Sequence, residues 1–173
     1  LKRERITEIA VTSYYLPQTI KDYFGNGEKW GVNLHYFQEK SPLGTAGSVQ
    51  NASDFLDESF VVISGDAITD FNLNEAISFH REMEAEATLV LSRVEVPLDY
   101  GVVITDEKYR INSFLEKPGW SQVFSDTVNT GIYILDPVVF NYYKKGEKYD
   151  FSRDLFPLML KADKAIYGLP LAG

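Results

Sequence analysis

Pro42-Leu43-Gly44-Thr45-Ala46-Gly47, followed by Phe60-Val61-Val62-Ile63-Ser64-Gly65-Asp66, is the stretch on which the fold turns. The first part is a loop of small residues. It leads into Ser48 to Leu56, where Val49, Ala52 and Leu56 share one face, as in a helix. The second part is a β-prone apolar run that reads as a buried strand and ends in Gly-Asp. Two glycines and two small residues let a flat ring or a phosphate approach the main chain closely. Backbone N–H groups at a helix start add donors and partial positive charge there. Asp66 would stand beyond the carboxyl end of a strand, where open α/β sheets bind ligands. The pairing is expected to bring bare amides and a carboxylate to one sheet edge, which suits a nucleotide with a bound cation. Each part also has a plainer reading: glycine for a tight turn, and aspartate as a turn former.

Outward from this stretch, strands and helices alternate. Ile6 to Val11 is β-prone. Leu16 to Phe24 carries Leu16, Ile20 and Phe24 at helical spacing, with Pro17 early and Gly25 at the end. Val32 to Phe37 alternates as a strand. Asn72 and Glu75 form a capping box for a helix running to about Glu84, on which Leu73, Ala76, Ile77, His80 and Met83 share a face. Glu82, Glu84 and Glu86 read as a solvated helix face. Strands follow at Thr88 to Val94, Gly101 to Thr105, Ile111 to Leu115 and Asn129 to Leu135. A short helix is expected around Pro137 to Tyr143, and another over Ser152 to Ala162 with its start blurred by Pro157. Ala165 to Leu169 is the last strand. The expected class is α/β, a Rossmann-like domain with a mostly parallel mixed sheet and antiparallel pairing entering between Thr88 and Leu135.

The chain has 173 residues, which suggests one domain, with an ordinary globular balance of 45% hydrophobic and 24% charged residues. No cysteine is present, which excludes disulfides, thiolate nucleophiles and zinc–sulfur sites. His35 and His80 are the only histidines, so a metal would rest on oxygen ligands, pointing to Mg²⁺. The net charge of −8 argues against nucleic acid and anionic membranes as partners. No apolar run approaches the roughly 18 residues that cross a bilayer. A cytoplasmic protein is expected, with self-association into a homo-oligomer left open by the residues.

Other residues could carry chemistry. Glu116-Lys117-Pro118 ends a strand-like run; a carboxylate can accept two sugar hydroxyls and a lysine is a point charge for phosphate. Tyr100-Gly101 could allow close backbone approach. Asn129-Thr130-Gly131 puts two short polar side chains at the start of a strand. Turns and an exposed salt-bridged strand end are the competing readings.

Taken together, PLGTAG (42–47), SGD (64–66), YGVV (100–103), FLEKP (114–118), NTGIYI (129–134) and DLFP (154–157) resemble, in order and spacing, the sugar-nucleotide pyrophosphorylases. These nucleotidyltransferases join a nucleoside triphosphate to a sugar 1-phosphate, and mannose-1-phosphate guanylyltransferase-like members look most similar. The resemblance implies a three-layer nucleotidyltransferase domain. It implies that Leu43, Gly44 and Thr45 meet base and ribose, and that Glu39 reads the base. A carboxylate suits the adjacent N1–H and N2–H₂ of guanine, and hence GTP. It further implies Asp66 as catalytic metal ligand, Lys117 on the sugar phosphate, and Gly101, Glu116, Asn129 and Thr130 around the sugar. The reaction would be in-line attack on the α-phosphorus with pyrophosphate leaving, and no covalent nucleophile.

Two of the family's segments have no match. One is a glycine-rich, arginine-containing loop followed by Pro-Lys-Pro, which would precede Leu1. The other is a Trp-x-Asp-x-Gly segment holding a second metal carboxylate, which would follow Gly173. The expectation is a domain truncated at both ends, lacking a central strand of its sheet and inactive by itself. Alternatives are thymidylyl, uridylyl or adenylyl transfer to glucose 1-phosphate, or a non-catalytic regulatory subunit that binds sugar nucleotides.

Overall fold

Two units share the chain in the computed structural model, which describes residues 1–66, 68–96, 101–116 and 125–172. One unit comprises Leu1–Asp57 with Tyr143–Asp150, the other Glu58–Tyr142 with Phe151–Gly173.

In the first unit, β1 (Glu8–Ser13), α1 (Pro17–Phe24), β2 (Asn33–Gln38) and α2 (Gly44–Asn51) follow in order. β1 and β2 pair in parallel from Glu8↔Asn33 to Ser13↔Gln38, as a two-stranded sheet of their own. Pro17 opens α1, where its fixed φ and missing N–H cost nothing, and Gly25 closes it. The apolar row of α1 is not buried: Leu16 and Phe24 are exposed, and the rings of Tyr23, Phe24 and Trp30 cluster with centroids 4.8 to 6.2 Å apart, Tyr23 stacked on Trp30 and edge-on to Phe24. The core of this unit is small, built on Leu43, Ala46, Ala52 and Tyr143. Residues Tyr143–Asp150 return as a strap onto α2.

The second unit holds α3 (Leu73–Glu82), α4 (Phe156–Lys161) and six strands: β3 (Phe60–Val62), β4 (Ala87–Arg93), β5 (Gly101–Thr105), β6 (Ile111–Glu116), β7 (Thr127–Leu135) and β8 (Ile166–Pro170). The sheet order is β6-β5-β7-β4-β8, with β3 also paired to β7. The α/β class stands, but the expected predominance of parallel pairing does not. Only β1–β2 and β4–β8 pair in parallel among the described residues; β3–β7, β4–β7, β5–β6 and β5–β7 are antiparallel. The reason is local. β5 and β6 are joined by a short turn, in which Asp106 Oδ1 accepts from the amides of Lys108 and Arg110, and such a turn permits only an antiparallel pair. β7 then enters antiparallel to β5, β3 and β4 alike.

β7 is the spine of this core. Ile132, Ile134 and Leu135 on it, and Leu89, Val90 and Leu91 on β4, are sealed from solvent. Phe156 stacks on Phe114 at 5.8 Å and meets Tyr133 edge-on at 5.0 Å. Asn72 caps α3 by accepting from the Glu75 amide at 3.4 Å, as the capping pattern predicted. The helix expected from Ser152 splits instead into a π-helical turn, Phe151–Leu155, and α4 with Pro157 in its first turn. Pro157 has no N–H for the bond back to Arg153, so a regular α-helix cannot run through it. Glu86, read as solvated, is partly buried: it accepts from the Tyr142 hydroxyl and lies 3.8 Å from Lys164 Nζ.

Candidate functional site

The candidate residues fall into two stations, one in each unit. In the first unit the sequence Gly44-Thr45-Ala46-Gly47 is not a loop before a helix; it is the first turn of α2. Gly44 has φ +75°, a left-handed conformation that side chains rarely adopt. The smallness of this turn is used by the chain's own backbone. A Cβ on Gly44 would lie 2.6 Å from the Tyr149 carbonyl oxygen, and one on Gly47 2.6 Å from that of Glu147. The strap is bonded there: the Gly47 amide donates to Tyr149 O at 3.0 Å and the Tyr149 amide to Leu43 O at 2.8 Å. The Tyr143 hydroxyl donates to Ala46 O at 3.0 Å, and its ring stacks on Tyr149 at 4.8 Å; burial pushes the Tyr143 phenol far above its usual range. Thr45, exposed, donates from Oγ1 to Asp150 Oδ2 at 2.9 Å. Glu39 and Leu43 are buried. Glu39 accepts from the Leu43 amide at 3.0 Å and from the Ser48 hydroxyl.

In the second unit, Asp66 is exposed in the turn after β3. The Ser64 hydroxyl donates to Oδ1, and this bond, with help from the residue's own amide, holds the carboxyl below its usual range. Asp66 is therefore an ionised carboxylate open to a cation. No group of three or more His, Cys, Asp or Glu that could hold a metal occurs among the described residues. Mg²⁺ at phosphate sites uses one or two carboxylates with substrate phosphates, and Asp66 fits as one such ligand.

A cavity of about 250 Å³ in the same unit is lined by residues that include Gly101, Val102, Phe114, Asn129, Ser152 and Arg153. Gly101 pairs with Glu116 at the end of the β5–β6 ladder. Asn129 and Thr130 do not start a strand, as the sequence suggested. They lie inside β7 at a bulge, where the register jumps from Val90↔Ile132 to Leu91↔Asn129 and Gly131 takes φ +78°. Asn129 holds the bulge: Nδ2 donates to Tyr133 Oη and Ser152 Oγ, both at 3.0 Å, and Oδ1 accepts from the Gly131 amide at 3.0 Å. Thr130 Oγ1 donates to Val90 O at 2.7 Å across the sheet. Gly101 and Asn129 are thus brought to one cavity, while the Thr130 hydroxyl is committed to the ladder. Lys117 and Tyr100 lie outside the described residues.

Ser152 and Arg153 were missed as cavity residues. Their signal was present in the Ser-Arg-Asp-Leu-Phe-Pro run, of which only the last four residues were matched. Nothing in the sequence marked Tyr149 and Asp150 as partners of the Gly44 turn.

An α/β protein with a mixed sheet, a glycine-opened helix and a bulge-lined cavity is defined by these features. The family model described as "Nucleotidyl transferase" matches residues 1–173, and the chain belongs to that family. It is similar to a UTP--glucose-1-phosphate uridylyltransferase of Synechocystis sp., with 36% identity covering 98% of this chain and 47% of that protein. It is also similar to a mannose-1-phosphate guanylyltransferase of Mycobacterium tuberculosis, with 33% identity over 94% of this chain and 45% of the other. The chain spans about half the length of the curated relatives it matches. HddC from Yersinia pseudotuberculosis has the same fold, with a TM-score of 0.79 at 22% identity, over 98% of this chain and 72% of that one. No helix among the described residues is long and apolar enough to cross a membrane.

Proposed function

We propose that the protein of which this chain is part joins a nucleoside triphosphate to a hexose 1-phosphate, giving a nucleoside-diphosphate sugar and pyrophosphate. The observation that carries this is the family match along all 173 residues. The roles suggested for the two stations follow from their chemistry. The first turn of α2 offers main-chain groups of Gly44 and Thr45 to base and ribose. The cavity beside Gly101 and Asn129 takes the sugar, with Glu116 and Lys117 serving its hydroxyls and phosphate. Asp66 would hold Mg²⁺, which when bound neutralises phosphate charge and aligns the leaving pyrophosphate. The chain's own residues bind and orient two anions so that a sugar-phosphate oxygen faces the α-phosphorus in line. No side chain has to form a covalent bond, in keeping with the absence of cysteine.

GTP with mannose 1-phosphate is the first pair proposed, supported by the names of relatives such as those of Mycobacterium tuberculosis and Dictyostelium discoideum. UTP with glucose 1-phosphate is the second, supported by the Synechocystis relative. Pyrophosphate release by the full-length gene product with Mg²⁺, four nucleoside triphosphates and these two sugar phosphates tests both. Release with either pair is the expected result. Silence across the panel from a folded protein that still binds sugar nucleotide would overturn the transferase reading in favour of a regulatory subunit.

A further inference from the structure

The carboxylate of Glu39 is placed where it can shape the nucleotide station but is poorly placed to read a base. Glu39 follows β2 directly and is only 7% exposed. Its amide donates to Ser13 O at 2.9 Å, which anchors the residue to β1. Its two carboxylate oxygens go to different partners: Oε2 accepts from the Leu43 amide and Oε1 from the Ser48 hydroxyl. Leu43 and Ser48 stand immediately before and after Gly44-Thr45-Ala46-Gly47. The carboxylate therefore bridges the two ends of the first turn of α2, across the residues proposed to meet base and ribose. A carboxylate buried this far is tolerated because both oxygens are bonded. Turning it toward a base would strand the Leu43 amide and the Ser48 hydroxyl together.

We propose that Glu39 is a positioning residue that holds the start of α2 in shape for any nucleotide, and that it does not choose the base. The inference rests on the nucleotide role proposed above for that turn. A glutamine at 39 can still accept from the Leu43 amide through its oxygen, and its NH₂ can donate to Ser48 Oγ. An alanine can do neither.

The test is steady-state kinetics of the full-length protein and its Glu39→Gln, Glu39→Ala and Ser48→Ala variants, with GTP and UTP. Amide hydrogen exchange at Leu43 is measured without ligand. Expected for Glu39→Gln is a GTP-to-UTP ratio of kcat/KM within about threefold of wild type. Expected for Glu39→Ala is a rise of roughly tenfold in KM for both nucleotides, the scale of a lost bond to a charged group, with the KM for sugar phosphate unchanged. Ser48→Ala should move the same way by less. The Leu43 amide should be protected in wild type and exchange at least about tenfold faster in Glu39→Ala. A shift of about tenfold or more in the nucleotide ratio of Glu39→Gln would make Glu39 a base reader and overturn the proposal. Unchanged Leu43 protection in Glu39→Ala would overturn the clamp itself. Should wild type use no nucleotide at all, the transferase reading fails, and the exchange comparison still decides whether the clamp exists. If Glu39→Ala does not fold, Glu39→Gln and Ser48→Ala carry the same decision.

Discussion

The two units are built by opposite strategies. The second buries the middle of a six-stranded sheet: Leu89, Val90, Leu91, Ile134 and Leu135 touch almost no water. The first has a two-stranded parallel sheet in which no strand residue is buried, and its closely packed part lies instead where the strap meets the first turn of α2. Parallel strands are ordinarily covered on both faces. The contrast shows that apolar burial stabilises one unit, while backbone bonding around two glycines shapes the other.

The largest break in that comparison should come from Leu89→Ala, which leaves a cavity at a fully buried position of β4. It should cost about 2–5 kcal/mol, read as a lower urea midpoint for the second unit. Exchange of β1 and β2 amides through local opening should be little changed by it. Gly44→Ala attacks the first unit. It imposes a left-handed conformation on a side chain and drives a Cβ to 2.6 Å from the Tyr149 carbonyl oxygen. The expected cost is about 2–4 kcal/mol, with faster exchange at Gly47 and Tyr149 as its signature. No loss of protection at those two amides would show that the strap is not the holding element.

Acid should act on the second unit first. His80 on α3 is 3% exposed, with Nδ1 2.9 Å from Thr88 Oγ1. Burial lowers its pKa below 6.5, the Asp136 charge opposes this, and Arg81 adds to it. Between the folded and unfolded pKa values the unfolded chain binds the extra proton, so stability falls as pH drops below about 6.5 and levels off below the folded value. The slope from this group is at most about 1.4 kcal/mol per pH unit. Urea midpoints from pH 8 to pH 5 should show it, and His80→Gln should flatten it. The smallest effect is expected at Lys145–Asp54, a 2.9 Å pair on the strap side of the first unit with both side chains well exposed. Lys145→Gln should cost no more than about 0.5 kcal/mol, and 1 M salt should remove most of that.

Elements fixed by neighbours in sequence were legible. Pro17 and Gly25 bounded α1, Asn72 capped α3, and Gly101 to Thr105 was a strand as read. What depended on distant partners was not. The sequence placed the start of α2 at Ser48, because two glycines argue against helix; the strap, about a hundred residues later, lets the helix begin at Gly44. Asn129-Thr130-Gly131 looked like a strand entrance, since a bulge is defined only by the strand opposite, here β4. The polar character of Glu39 was visible, but its burial and its two internal donors were not.

The strap also sets a clock on synthesis. The bond from Tyr143 to Ala46 joins residues 97 apart in the chain. At roughly 5–20 residues per second, about 5–20 s separate the translation of α2 from that of the segment that completes its packing. In that interval the strands from β3 to β7 are made, while the Gly44 turn waits with its small-residue face uncovered. A nascent first unit would therefore be the part most open to chaperones and proteases, and it would close only after most of the second unit's sheet had been translated.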